Sequence, residues 1–108
     1  MKRQAKTFTT PAADEVAHHL GSLVRQARLA RHWTMADLAE RARVGTATIT
    51  RIEGGATSAS LSAWLSAFEC LGLLPLLKNL QDPVAAALLN ETRAKRARRK
   101  AVPDDLDF

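Results

Sequence analysis

The segment Thr46 to Glu53, TATITRIE, carries the side chains whose types and spacing best suggest chemistry. On a helix, where successive residues turn by about 100°, Ile49 and Ile52 fall on one side. Thr46, Ala47, Thr50 and Arg51 fall on the other, a small surface of hydrogen-bonding groups and methyls with one guanidinium. Such a surface suits base-pair edges in a major groove. Arg51 matches the O6 and N7 acceptors of guanine, and Ala47 with the methyls of Thr46 or Thr50 matches a thymine methyl. Thr34, Thr46, Thr48, Thr57 and Ser58, together with Arg43, are candidates for phosphate contacts that would fix the register. An ordinary helical hairpin in an all-α domain accounts for the same pattern and stays open at this point.

Catalysis finds little support in the sequence. Cys70 lies on an apolar helical stripe and reads as buried filler, while His18, His19 and His32 have no evident nucleophile or carboxylate partner. His18 and His19 diverge in direction, no ligand set completes a metal site with them, and they read as surface residues. Gly54 and Gly55 follow a helix and read as its stop, not as a phosphate-cradling loop. The chain is therefore expected to be no enzyme, with no cofactor and no metal.

The elements that must position these groups follow from capping and periodicity. Thr10 and Pro11 start a first helix, with Asp14 and Glu15 in its first turn, and Val16, Leu20, Leu23, Val24 and Ala27 carry it to about Arg31. Trp33 then precedes Thr34, which caps a second helix and forms a capping box with Asp37; Trp33 reads as a hydrophobic staple. Leu38 and the small Ala39 point inward, and Arg41 to Gly45 form the corner before the helix at Thr46, with Gly45 as N-cap. Ser60 caps a fourth helix with the stripe Leu61, Trp64, Leu65, Phe68 and Leu71, and Gly72 ends it. LLPLLKNL reads as a short fifth helix over Pro75 to Leu80, with an edge strand as the alternative. Its leucines are the candidate dimer seam. Asp82 and Pro83 start a sixth helix with a weak apolar face of Val84, Ala85, Leu88 and Leu89.

With 108 residues the chain has room for one small domain, for which a dimer interface is a natural supplement. The expected division is a flexible basic arm over residues 1–10, a domain over 11–81, and a C-terminal helix and tail over 82–108. The net charge is +5, yet Asp14 to Gln81 holds seven Lys or Arg against six Asp or Glu. The basicity lies in the arms: Lys2, Arg3 and Lys6 at one end, and Arg93, Lys95, Arg96, Arg98, Arg99 and Lys100 near the other. So dense a cationic run disfavours a helix in isolation and is expected to be disordered until it meets a polyanion. The last residues, VPDDLDF, read as a solvated acidic tail. A single cysteine fits a reducing cytosol, and neither a membrane span nor an export segment is apparent, so a cytoplasmic, nucleoid-associated location is expected.

LVRQARLARHWTMADLAERARVGTATITRIEGG, followed by SLSAWLSAFECLGL, resembles the Xre/Cro-type helix-turn-helix family of phage and bacterial repressors. The similarity covers about Leu20 to Leu73. It implies an all-α, five- to six-helix, lambda-repressor-like domain in which helix 3 reads base edges and Arg28 of helix 1 bonds Glu53 at the end of helix 3. The pairing also makes physical sense, because a largely buried Glu53 would be costly without a cation partner. Three positions depart from the family pattern: Met35 stands where Gln is usual, Arg43 where Gly is common, and Gly45 where Ser is usual. At position 43 either a left-handed arginine is strained by about 1 kcal/mol or the corner differs from the family's.

The resemblance implies a homodimer on an inverted-repeat operator in double-stranded DNA, a transcriptional repressor. The leucine-rich segment and basic tail look most like HipB-type antitoxins, which pair with HipA-like kinase toxins and repress their own operon. A stand-alone phage-type repressor, a restriction-modification controller, and a module that mainly neutralises a kinase toxin are the alternatives. The run Arg93 to Lys100 would contact DNA backbone, and a merely solubilising tail is the competing reading.

Overall fold

The computed structural model describes residues 9–106, with side-chain surroundings as far as Lys100. The basic residues expected in the N-terminal arm, Lys2, Arg3 and Lys6, lie outside that range, as does the end of the acidic tail. Six helices follow in order: α1 Pro11–Ala30, α2 Met35–Ala42, α3 Thr46–Glu53, α4 Leu61–Cys70, α5 Leu74–Lys78 and α6 Pro83–Leu106. No strand occurs among the described residues. Two compact units divide after Leu77, where the sequence suggests a boundary at 81–82. None of these helices is long and apolar enough to cross a membrane.

Local chemistry explains the helix ends of the first unit. The Thr10 hydroxyl accepts from Ala13 N at 3.1 Å, with Pro11 opening the helix behind it. At α2 the capping box closes in both directions: Thr34 Oγ1 accepts from Asp37 N at 3.0 Å, and Asp37 Oδ2 accepts from Thr34 N at 2.8 Å. These bonds from Thr34 hold the Asp37 carboxyl below the usual carboxylate range. Trp33 packs against the core, and the Arg41 guanidinium stacks 4.2 Å above its ring. Ser60 caps α4 by accepting from Ala63 N at 3.1 Å.

The core gathers Val24 of α1, Leu38 and Ala39 of α2, Ile49 and Ile52 of α3, and Ala63, Ala67, Phe68 and Leu71 at α4. Helix α2 packs on both α3 and α4, and α1 packs on α3. The α1–α3 crossing is set by Gly21. A Cβ there would meet the backbone carbonyls of Ile52 and Glu53 and would lie 2.9 Å from Gly55 N. Gly55 completes the fit in return: its φ of +78° ends α3, and a side chain on it would lie 2.7 Å from His18 Cα.

The structure corrects several expectations. The α4 stripe is turned from the one the leucines suggest: Ala63 and Ala67 are buried, whereas Leu61 is 71% exposed and Trp64 and Leu65 are half-buried. Helix α2 approaches α4 closely, which favours small side chains at the contact, so the larger ones line an open apolar groove with Ala17, Leu20 and Leu77. Cys70 is half-buried rather than buried, and burial followed by Glu69 pushes its thiol up despite Arg41, which keeps it protonated and inert. Val16 is exposed. LLPLLKNL contains a helix, but of a single turn over Leu74–Lys78, with Pro75 in its first turn where it is tolerated.

The basic run is also helical, contrary to the expected disorder in the absence of a polyanion. Helix α6 starts at Asp82, whose Oδ1 accepts from Val84 N at 3.0 Å, and continues through Arg93 to Lys100 as far as Leu106. Alanine, arginine and lysine are among the best helix formers, and Glu91 stands four residues before Lys95, so propagation from a capped start offsets like-charge repulsion.

Two substitutions test this packing. In an ordinary helix interior Gly→Ala stabilises by about 1 kcal/mol, whereas Gly21→Ala is expected to destabilise by about 3 kcal/mol because the methyl meets backbone. Urea melts give the sign directly. Arg43, the C-cap of α2, sits at φ 60°, ψ 41° in the left-handed region. Arg43→Gly is therefore expected to raise stability by about 1 kcal/mol in the same melts.

Candidate nucleic-acid interface

Helix α3 is held from behind. Ile49 and Ile52 are fully buried, and Thr46, Ala47, Thr50 and Arg51 are exposed on the opposite side. Behind its C-terminus Glu53 accepts from Arg28, Nε to Oε2 at 2.6 Å and Nη2 to Oε1 at 3.1 Å. Arg28 Nη1 also donates to the Trp33 carbonyl at 2.8 Å. Only 8% and 4% of the two side chains' surface is exposed, and the hydrogen bond to Glu53 pushes the Arg28 guanidinium further up. The pair that the resemblance implies is thus a structural clamp.

In front of the clamp the residues sort into two adjoining hollows. One is an open polar trough of about 570 Å3 between α3 and α4, lined by Arg43, Gly45, Thr48, Arg51, Ser58, Ser60, Ser62 and Ser66 among others. Its near wall begins at the corner, where Arg43 N donates to Glu40 O at 3.2 Å and Val44 N to Ala39 O at 3.0 Å. Gly45 then caps α3 without a side-chain bond, so the Thr46 and Ala47 N–H groups have no cap, while Thr48 N donates to Gly45 O at 3.0 Å. The second hollow holds Arg51, Thr57 and Ser58 with Asp14, His18 and the Gly54–Ala56 turn. His18 Nδ1 donates to Asp14 O at 2.8 Å, and Thr9 Oγ1 donates to Thr57 Oγ1 at 3.4 Å.

Arg51 stands between the hollows. Its Nη2 donates to Ser58 Oγ at 3.0 Å, which steadies the side chain and leaves its other N–H groups for an acceptor outside the protein. Thr34 is exposed; its hydroxyl oxygen is used in the cap, and the hydroxyl hydrogen remains. Thr46 and Ala47 project from the outer face of α3, and Thr50 does so beside Met35, at 3.5 Å from its sulfur. The structure therefore brings Arg43, Thr48, Arg51 and Ser58 to one trough, Thr57 to its edge, and Thr46, Ala47 and Thr50 to the adjoining ridge.

Ser62 and Ser66 do not stand out in the sequence, although two serines four residues apart at the start of α4 share a face. Met35 reads there only as the absence of a polar group. The serine-lined trough exists only once α3 and α4 are placed together.

In the second unit the six cations share one broad side of the helix. At about 100° per residue Arg98, Lys95, Arg99, Arg96, Lys100 and Arg93 follow one another round an arc of roughly 220° on α6. All six are exposed.

A family model described as a helix-turn-helix domain matches residues 19–80. No curated protein and no solved structure matches the chain. The matched span takes in the Arg28–Glu53 clamp, the corner at Arg43 and all of α3, and it covers more than half of the sequence. The chain belongs to the helix-turn-helix domain family.

Proposed function

We propose that the protein is a sequence-specific DNA-binding transcriptional repressor that acts by binding and not by catalysis. The observation that carries this reading is the two-sidedness of α3, with isoleucines and a buried ion pair behind and an unencumbered face of Thr46, Ala47, Thr50 and Arg51 in front. Two copies related by a twofold axis place two such helices in successive major grooves of an inverted repeat, roughly 34 Å apart. Arg51 takes guanine O6 and N7 through its free N–H groups. Arg43, Thr48 and the trough serines, with the uncapped start of α3, take the flanking phosphates. Thr34, Thr57 and Ser58 add phosphate contacts at the edges.

The finer reading is the antitoxin of a HipBA-like module that represses its own operon, with a HipA-like kinase as its partner. What supports it is the apolar surface that a single chain leaves uncovered, Leu76 in the first unit and Leu80, Val84, Leu88 and Leu89 in the second. A kinase-like gene next door and a complex that forms on co-expression distinguish it from a stand-alone repressor or restriction-modification controller.

Selection of bound duplexes from a random pool tests the main reading: a symmetric site is expected, and enrichment of no sequence overturns it. On the selected site Arg51→Ala is expected to cost about 1–3 kcal/mol and to relax preference at one base pair per half-site. The cations of α6 contribute through phosphate. Because they fan over an arc of roughly 220°, one duplex engages only part of the set at a time, and neutralising all six is expected to reduce the slope of log K against log salt by about 3. Site choice, read from competition with scrambled duplex, should not change.

A further inference from the structure

The Thr50 hydroxyl restricts what α3 can recognise. It has one hydrogen, and both acceptors within reach belong to the protein: the Thr46 carbonyl at 3.1 Å and the Met35 sulfur at 3.5 Å. The donor is thus satisfied internally, and Thr50 offers only its γ-methyl and oxygen lone pairs to a ligand. Ala47, exposed and about 60° round the helix, adds a second methyl. Met35, half-buried at the first position of α2, adds a polarizable thioether against Thr50. None of the three side chains has a hydrogen-bond donor free. The Thr46 hydroxyl lies one turn before Thr50 at the N-terminal edge of the patch, and Arg51 is about 100° round the helix from Thr50 and turned toward Ser58.

A donor-free surface discriminates among base edges. Guanine presents two acceptors in the major groove, N7 and O6, which lose water against such a surface and gain nothing. A methyl group on C5 of a pyrimidine asks only for apolar contact. We infer that Met35, Thr50 and Ala47 form a patch that reads the 5-methyl group of a pyrimidine, with Met35 as a specificity-determining residue contributed by α2. The inference rests on the DNA-reading assignment above and sharpens it: Arg51 selects guanine on one side of α3, and the patch selects a methyl on the other. Thymine and 5-methylcytosine share the chemistry.

Deoxyuridine in place of thymidine removes that methyl and leaves base pairing intact, so it isolates the contact. With the full-length protein on a selected duplex, uridine is placed at one thymine position at a time. Binding is expected to weaken about fourfold at one position per half-site, the value of one buried methyl, and to be unchanged elsewhere. Met35→Gln and Thr50→Ser should each shrink that penalty to less than about twofold, with thermal melts confirming that both variants fold. A 5-methylcytosine·guanine pair that binds more tightly there than cytosine·guanine extends the reader to methylated DNA; equal binding confines it to thymine. A duplex bound selectively yet indifferent to uridine at every position overturns the inference and leaves the DNA-reading assignment standing. A uridine penalty unchanged in both variants also overturns it. Failure to select any duplex removes the DNA-reading assignment and this inference together.

Discussion

A single guanidinium fixes the geometry on which the rest of the first unit depends. Arg28 reaches from α1 to both carboxylate oxygens of Glu53 at the end of α3 and to the carbonyl of Trp33 at the approach to α2. Three elements are thereby tied at one point. An arginine can do this because its planar fork aims several donors in fixed directions, and a lysine could not reproduce it. Burial makes the arrangement all-or-none. With both side chains nearly inaccessible, loss of either partner strands a charge, at a cost of about 3–5 kcal/mol. Gly21, two turns earlier on α1, lets that helix lie directly on the backbone of α3, so the ion pair closes over a contact with no side chain between the helices.

This division of labour frees the outer side of α3. Its position is set by groups behind it, two isoleucines, a glutamate and the Gly55 turn, and not by the threonines in front. The front can change its chemistry at little cost to the fold. It has done so at Met35, where a thioether occupies a position whose family counterpart is an amide, and at Arg43, where a charged residue holds a left-handed conformation that glycine would adopt freely. A strained cation facing an open trough makes sense if the site gains from the charge what the corner loses in conformation. The left-handed His32 ending α1 is a similar exception, without any such trough to account for it.

The parts of the fold legible in the sequence are those governed by short-range rules. Thr34 with Asp37, Thr10 with Pro11, and Ser60 announce helix starts through bonds made within three residues of the cap, so a linear reading captures them. The two faces of α3 are legible because Ile49 and Ile52 are the only large apolar residues in it. The features that stay hidden depend on a second element. Gly21 does not stand out in the sequence, because its role appears only when α3 is laid across it. The inner face of α4 is misleading because the leucines dominate a hydrophobic pattern, whereas the close approach of α2 is decided by Ala63 and Ala67. The role of Met35 does not show because Thr50, the residue it touches, is fifteen residues away along the chain. The candidate face is therefore visible in the sequence as a set of residues. Its split into a cationic trough and a methyl ridge is not.

Charge distribution separates two kinds of work between the two units. The helix-turn-helix region is close to neutral, so attraction to phosphate contributes little there, and on the proposed function the choice of one sequence falls to the fit of α3. The cations are concentrated on α6, where they can add affinity but read nothing. Helical form sharpens this separation. A flexible cationic tail could lay all six charges along one strand, whereas a helix fans them over an arc of roughly 220°. That spread limits the non-specific attraction to any one duplex, which favours discrimination, because unselective binding across a genome is what a small recognition surface must outcompete.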